Sequence, residues 1–187
     1  MQGRWKRLYI DFFYENGTPQ AVITELAKYQ NAAGGFGHGL EADNWNPNSN
    51  PIATNDAIIT LYRIGALDKD SAVVRGIVRY LFSHDSFDEQ KRRWLFAIDS
   101  NEDYPHAAWW KKDGDGIDCF NPTVSLAAFM VCFGNESSEE YYAGIVREAF
   151  SALAEIEDFA DEPKCYMLAY QILSDFGKKD VTGIFRC

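Results

Sequence analysis

Apolar positions recur along this chain with helical period, broken by two long polar loops. Trp5, Leu8, Tyr9, Phe12 and Phe13 fall at i, i+3, i+4, i+7 and i+8, one helix face, which Asn16-Gly17 ends. Thr18-Pro19 predicts a restart, with Thr18 as N-cap and Pro19 at the first helical position. Val22, Ile23, Leu26 and Ala27 supply the stripe of that second helix, and the short turn predicts an antiparallel pair. Further on, Thr54 is expected to cap a helix carrying Ala57, Ile58, Leu61 and Ile64, closed by Gly65. Asp70-Ser71 opens another with Val73, Val74, Ile77, Leu81 and Phe82. Trp94, Leu95, Phe96 and Ile98 mark a short apolar helix. Asn121-Pro122 restarts a helix with Leu126, Ala127, Met130 and Val131. A capping box, Ser137 to Glu140, leads the next, and Asp161-Glu162-Pro163 opens the last, stopped by Gly177. No segment reads as a strand, so the expectation is all-α over a single domain, 1–187.

The loops interrupt this pattern in a particular way. Gln30-Asn31-Ala32-Ala33-Gly34-Gly35-Phe36-Gly37-His38-Gly39 cannot be a helix interior, because glycine loses too much backbone entropy there. With Asn44 to Pro51 it makes a loop longer than a connector needs, which points to function. The second loop runs from Asp99 to Asn121. A shift of about 71 residues lays Asn50-Pro51 on Asn121-Pro122, Thr54 on Ser125 and Ala57 on Ala128. Loop, inner helix, turn and outer helix thus form a unit used twice, and such units bury together what one cannot bury alone.

Those residues carry a resemblance. Gln30-x-x-x-Gly34-x-Phe36 resembles the glutamine–aromatic repeat of squalene and oxidosqualene cyclases, with Phe36 in place of tryptophan. Gly34-Gly35-Phe36-Gly37 followed by Thr54, Ala57, Leu61 and Gly65 resembles the repeat of protein prenyltransferase β subunits. The resemblance implies an α-α toroid, incomplete at about half a ring of helical hairpins. It also implies stabilising roles for Gln30 and Phe36. A half ring would leave an apolar edge at Tyr166, Tyr170 and Phe176, so a homo-oligomer or a missing C-terminal half is expected.

The chemistry of the parent families is incomplete here. Asp113-Gly114-Asp115-Gly116-Ile117-Asp118 is similar to the Asp-x-Asp-Asp acid of the cyclases but has glycine in the adjacent pair. Asp118 and Cys119 are neighbours where the prenyltransferase zinc site has Asp-x-Cys, so no metal is expected, even with His38 or His106 as a third ligand. Glu41 and Asp43, beside His38 and Trp45, either serve as acid and base, as in a helical-barrel glycosidase or lyase, or fix the loop by accepting backbone hydrogen bonds. His106, Trp109 and Trp110 form either a stacking platform or a hydrophobic plug. The candidate catalytic residues are therefore Glu41, Asp43 and Asp118, and the candidate ligand-binding residues His38, Trp45, His106, Trp109 and Trp110.

Composition narrows the partners. Lys+Arg 18 against Asp+Glu 28 gives a net charge of −10, which repels phosphate backbones and argues against nucleic acid. No apolar run approaches the ~20 residues of a membrane span. Cys119, Cys132, Cys165 and Cys187 form no CxxC pair and fit free thiols in a reducing cytoplasm. No cofactor is expected. Two classes of function remain open: a cyclase- or prenyltransferase-like protein whose cavity takes a small apolar or polyol ligand, and a non-catalytic binding or self-association module.

Overall fold

The computed structural model describes residues 4–153 and 162–183. It is mainly helical, as expected. Its α-helices are α1 Arg4–Tyr14, α2 Pro19–Leu26, α3 Pro51–Arg63, α4 Ala72–Phe82, α5 Thr123–Phe133, α6 Glu136–Ala152 and α7 Glu162–Asp175. One hairpin, β1 Phe87–Asp88 with β2 Arg93–Trp94, pairs Phe87 with Trp94 and Asp88 with Arg93. Among the described residues no helix is long and apolar enough to cross a membrane. The chain forms two compact units. The first holds α1 to α4 and the loop Ala97–Gly116; the second holds the hairpin and α5 to α7.

In the first unit, Thr18 caps α2 by accepting from the Ala21 N–H, and α2 packs on α1. Arg4 of α1 and Lys28 both reach the buried carboxylate of Glu25, Lys28 at 2.6 Å. The next helix starts earlier than expected. Asn50, not Thr54, is the N-cap of α3; its side chain accepts from the Ala53 N–H, and Pro51 takes the first turn, where no N–H is needed. That frees Thr54 for another task. Its hydroxyl donates to Asn50 O at 2.8 Å and accepts the Phe36 N–H at 3.0 Å, with both residues fully buried.

The glycine loop is a hook built on that bond. Phe36 pairs by backbone bridges with both Gln30 and Asn50. The Gln30 amide donates to Gly34 O and to Val73 O of α4, each at 2.9 Å, tying the loop to the neighbouring helix. The stabilising roles implied for Gln30 and Phe36 fit this geometry. Gly34 sits at φ +105° with its backbone against Gly76 O, where a Cβ would overlap the carbonyl. A Cβ on Gly35 would lie 2.7 Å from the Tyr80 ring. Close approach, as much as turning, requires this glycine pair.

The second unit repeats the hook in different residues. The Trp94 N–H donates to Thr123 Oγ1 at 2.9 Å, and Trp94 and Thr123 are fully buried. Thr54 therefore corresponds to Thr123, an offset of 69 rather than the 71 that put it on Ser125, whose hydroxyl donates to Pro122 O. Trp94 is thereby a strand residue, not the start of a helix. Pairing with Phe87 extends its backbone, and the following segment continues as bends and a 3-10 turn, Asp99–Asp103. All eleven residues of α5 are buried, and it packs on both α6 and α7. Asn135, not Ser137, caps α6, because its side chain is the one that reaches the Ser138 N–H. Asp161 lies outside the described residues. The expected apolar edge is largely closed. Tyr166 is buried and donates to Ala149 O, Tyr170 is half-buried with Lys179 over its ring, and only Phe176 is exposed, its ring edge on Phe133.

If the aromatic hook hangs on the threonine hydroxyl, Thr54→Val should lower unfolding stability by about 1–3 kcal/mol, the cost of an unpaired buried amide. Thr54→Ser, which keeps the acceptor, should lose clearly less in urea unfolding. A loss in Thr54→Ser as large as that in Thr54→Val would show that the hydroxyl bond is not what holds the hook.

Candidate functional site

Asparagines organise the loops of the first unit. Asn101 Oδ1 accepts from Asn44 Nδ2 at 3.2 Å and from Asn46 Nδ2 at 2.9 Å, while its own amide donates to Trp110 O at 2.9 Å. All three asparagines are buried, and mutual bonding offsets the desolvation of their amides. A backbone ladder joins the same loops. Asn44 bridges His106, the Trp45 N–H donates to Pro105 O at 3.0 Å, and the Ala107 N–H donates to Asp43 O at 2.9 Å.

This ladder brings together four of the residues singled out from sequence: Asp43, Trp45, His106 and Trp110. Their side chains nonetheless do different things. Asp43 Oδ1 accepts from the Trp110 indole N–H at 2.8 Å. Trp110 is 6% exposed, so it is the plug and not a stacking platform. Trp109 and Trp45 face solvent instead, and the Trp45 indole donates to Ala42 O. The His106 Nδ1 donates to Tyr104 O at 2.7 Å, which leaves Nε2 as the acceptor of the neutral ring.

His38 and Asp118 stand apart from this group. His38 is exposed, at φ +57°, with Nε2 2.8 Å from Asn31 Oδ1. The Asn31 amide N–H groups are already committed to Pro47 O and Ser49 Oγ, so Nε2 is the donor. Asp118 belongs to the second unit. It forms the turn before α5, accepting from the Asn121 side chain at 3.3 Å while its carbonyl accepts the Asn121 N–H. Among the described residues, no three His, Cys, Asp or Glu side chains are grouped so as to hold a metal ion.

Glu41 leads elsewhere. With Leu40 it lines a groove of about 180 Å³ against Trp5, Lys6 and Tyr9 of α1 and Asp56, Ile59, Thr60 and Arg63 of α3. The Trp5 and Tyr9 rings meet edge-on at 6.3 Å. The Trp5 indole N–H is buried with no hydrogen-bond partner among the described residues. Tyr9 and Arg63 also border an adjoining groove of about 380 Å³, walled by Ile10, Phe13 and Tyr14. Sequence reasoning missed this wall. Trp5 and Tyr9 read as core, yet α1 has no buried residue. A usable signal was there: Asp56, Thr60 and Arg63 fall at i, i+4 and i+7, a polar stripe on a largely apolar helix.

Comparison with protein-family models, with curated proteins and with solved structures returned no match.

The bracket role of Asp43 has a direct check. Asp43→Ala strips the indole of its acceptor and should cost about 1–3 kcal/mol. Asp43→Asn keeps a carbonyl oxygen in place and should recover most of it, with Trp110 fluorescence and urea midpoints as readouts. Wild-type midpoints in both variants would remove Asp43 from the scaffold.

Proposed function

We propose that this chain is an incomplete α-α toroid, related to the terpenoid cyclases and prenyltransferases, that binds a small polyol in the groove between α1 and α3 without the parent reactions. The Gln30 tie from the loop to α4 supports the toroid reading, since it joins one helical element to the next as the resemblance implies. The observation that carries the ligand reading is the groove wall itself. An aromatic edge from Trp5 and Tyr9 stands beside Glu41 and Asp56 and beside Lys6 and Arg63. A polyol suits that mixture. Its hydroxyls donate to carboxylates and accept from cations, its C–H face lies on rings, and one hydroxyl oxygen would satisfy the Trp5 indole N–H. With the adjoining groove the space falls within the roughly 300–1,000 Å³ of small-molecule sites. A catalytic pairing of Glu41 with Asp43 finds less support, because the Asp43 carboxylate is engaged by Trp110.

Titration with a panel of monosaccharides and linear polyols, with an isoprenoid alcohol alongside, tests the reading. Saturable quenching of tryptophan fluorescence by a polyol is expected. Trp5→Phe and Glu41→Gln should each weaken binding about tenfold, equivalent to about 1.4 kcal/mol. Binding that ignores both substitutions, or that only the isoprenoid shows, sinks the polyol assignment.

A second reading rests on α1. Ile10 is 54% exposed, Phe13 47% and Tyr14 82%, an apolar surface that a second copy would cover. Sedimentation at micromolar concentration should then show a dimer that Phe13→Lys dissociates; a monomer at all concentrations removes this reading.

A further inference from the structure

The two grooves along α1 adjoin, and their character changes where they meet. Tyr9 and Arg63 line both. Toward the start of α1 the other walls include Lys6, Glu41, Asp56 and Thr60. Toward its end the described walls are Ile10, Phe13 and Tyr14, none of them charged.

An aromatic row joins the two halves. Trp5, Tyr9 and Phe13 stand at i, i+4 and i+8 on α1, the spacing that brings side chains together on one helix face. Their rings meet edge-on in succession, Trp5 with Tyr9 at 6.3 Å and Tyr9 with Phe13 at 5.1 Å. From Trp5 to Phe13 the helix advances about 12 Å, at ~1.5 Å per residue. That length takes a sugar ring and the first several methylenes of a chain. The apolar end is also the wet one, since Ile10, Phe13 and Tyr14 are all exposed. Covering such a surface is favourable in proportion to the area removed from water. A free polyol leaves it uncovered. A molecule with a polyol head and a hydrocarbon tail covers both halves at once. Arg63 stands at the junction, where a guanidinium N–H can donate to the oxygen that links head to tail.

We propose that the ligand of these grooves is an amphiphile of the glycolipid class. Its polyhydroxylated head lies beside Trp5, Glu41 and Asp56, and its hydrocarbon tail runs over Ile10, Phe13 and Tyr14. The inference rests on the polyol reading of the first groove and adds the tail, which that reading does not require.

Methyl, hexyl and octyl β-glucosides, kept below their micelle concentrations, are the probes, read by tryptophan fluorescence and calorimetry. Affinity should rise with chain length, octyl over methyl glucoside by at least about thirtyfold, well under the limit for full burial of the added methylenes. The heat-capacity change on binding should grow more negative along the series. Phe13→Ser should flatten the dependence on chain length, whereas Glu41→Gln should weaken every member by a similar factor. Circular dichroism on each variant separates lost binding from lost fold. Tyr14→Ser, 82% exposed at the end of α1, gives the same flattening should Phe13→Ser unfold the helix. Methyl glucoside binding with no gain from longer chains overturns the glycolipid inference and leaves the polyol reading standing. Failure of the whole series overturns both. Octanol binding as tightly as octyl glucoside removes the head from the account and overturns the inference. So does a Phe13-dependent dimer in sedimentation that octyl glucoside leaves intact, which would give the apolar face to a second copy.

Discussion

A backbone N–H buried beneath a helix has to find an acceptor, and here the acceptor is a threonine hydroxyl. Phe36 bonds to Thr54 and Trp94 to Thr123, each without access to water. An unmet amide at such depth would cost as much as the ring's burial is worth, so the bond decides where each aromatic can go. Once the aromatic is placed, the loop before it must lie against an outer helix. In the first unit the glycines and Gln30 fill that space, and in the second Arg92 and Arg93 are tied to Glu148 of α6.

That constraint accounts for the way loops and chemistry are distributed. In the first unit the hook is packed shut, and the polar residues after it are consumed in holding loops together. Asp43 brackets Trp110, and three asparagine amides satisfy one another. Residues that look chemical in a list are here spent on structure. A groove at the surface is lined from the helices, by Trp5 and Tyr9 on α1 and Asp56 and Arg63 on α3, with Glu41 on its wall.

Part of this was legible beforehand. Helical periodicity located all seven of the described α-helices, and Thr18-Pro19 marked the start of α2 by a mechanism that the side-chain bond to Ala21 bears out. Threonine and serine caps misled elsewhere. Near Thr54 and Ser137 an asparagine a few residues upstream competed for the same role, and a longer acceptor arm reached the free N–H groups first. The stretch Trp94 to Ile98 looked helical because four apolar residues lie in five. Pairing of Trp94 with Phe87, a contact across six intervening residues, overrode that local preference. Candidate site residues fared similarly. Nothing in the spacing of Asp43 announces an indole 67 positions away, and an amphipathic α1 does not declare that its apolar face is only half covered.

The sequence by itself determined the helical class, the breaks between helices and the reuse of one hook-and-helix pattern, because each depends on local backbone preference and on periods of a few residues. Only the tertiary structure decided that Asp43 holds an indole while Glu41 lines a groove, and which aromatic is plug or wall. Those outcomes turn on distances between residues far apart in the chain, where a hydrogen bond of about 3 Å exists or does not, and no local pattern encodes that separation.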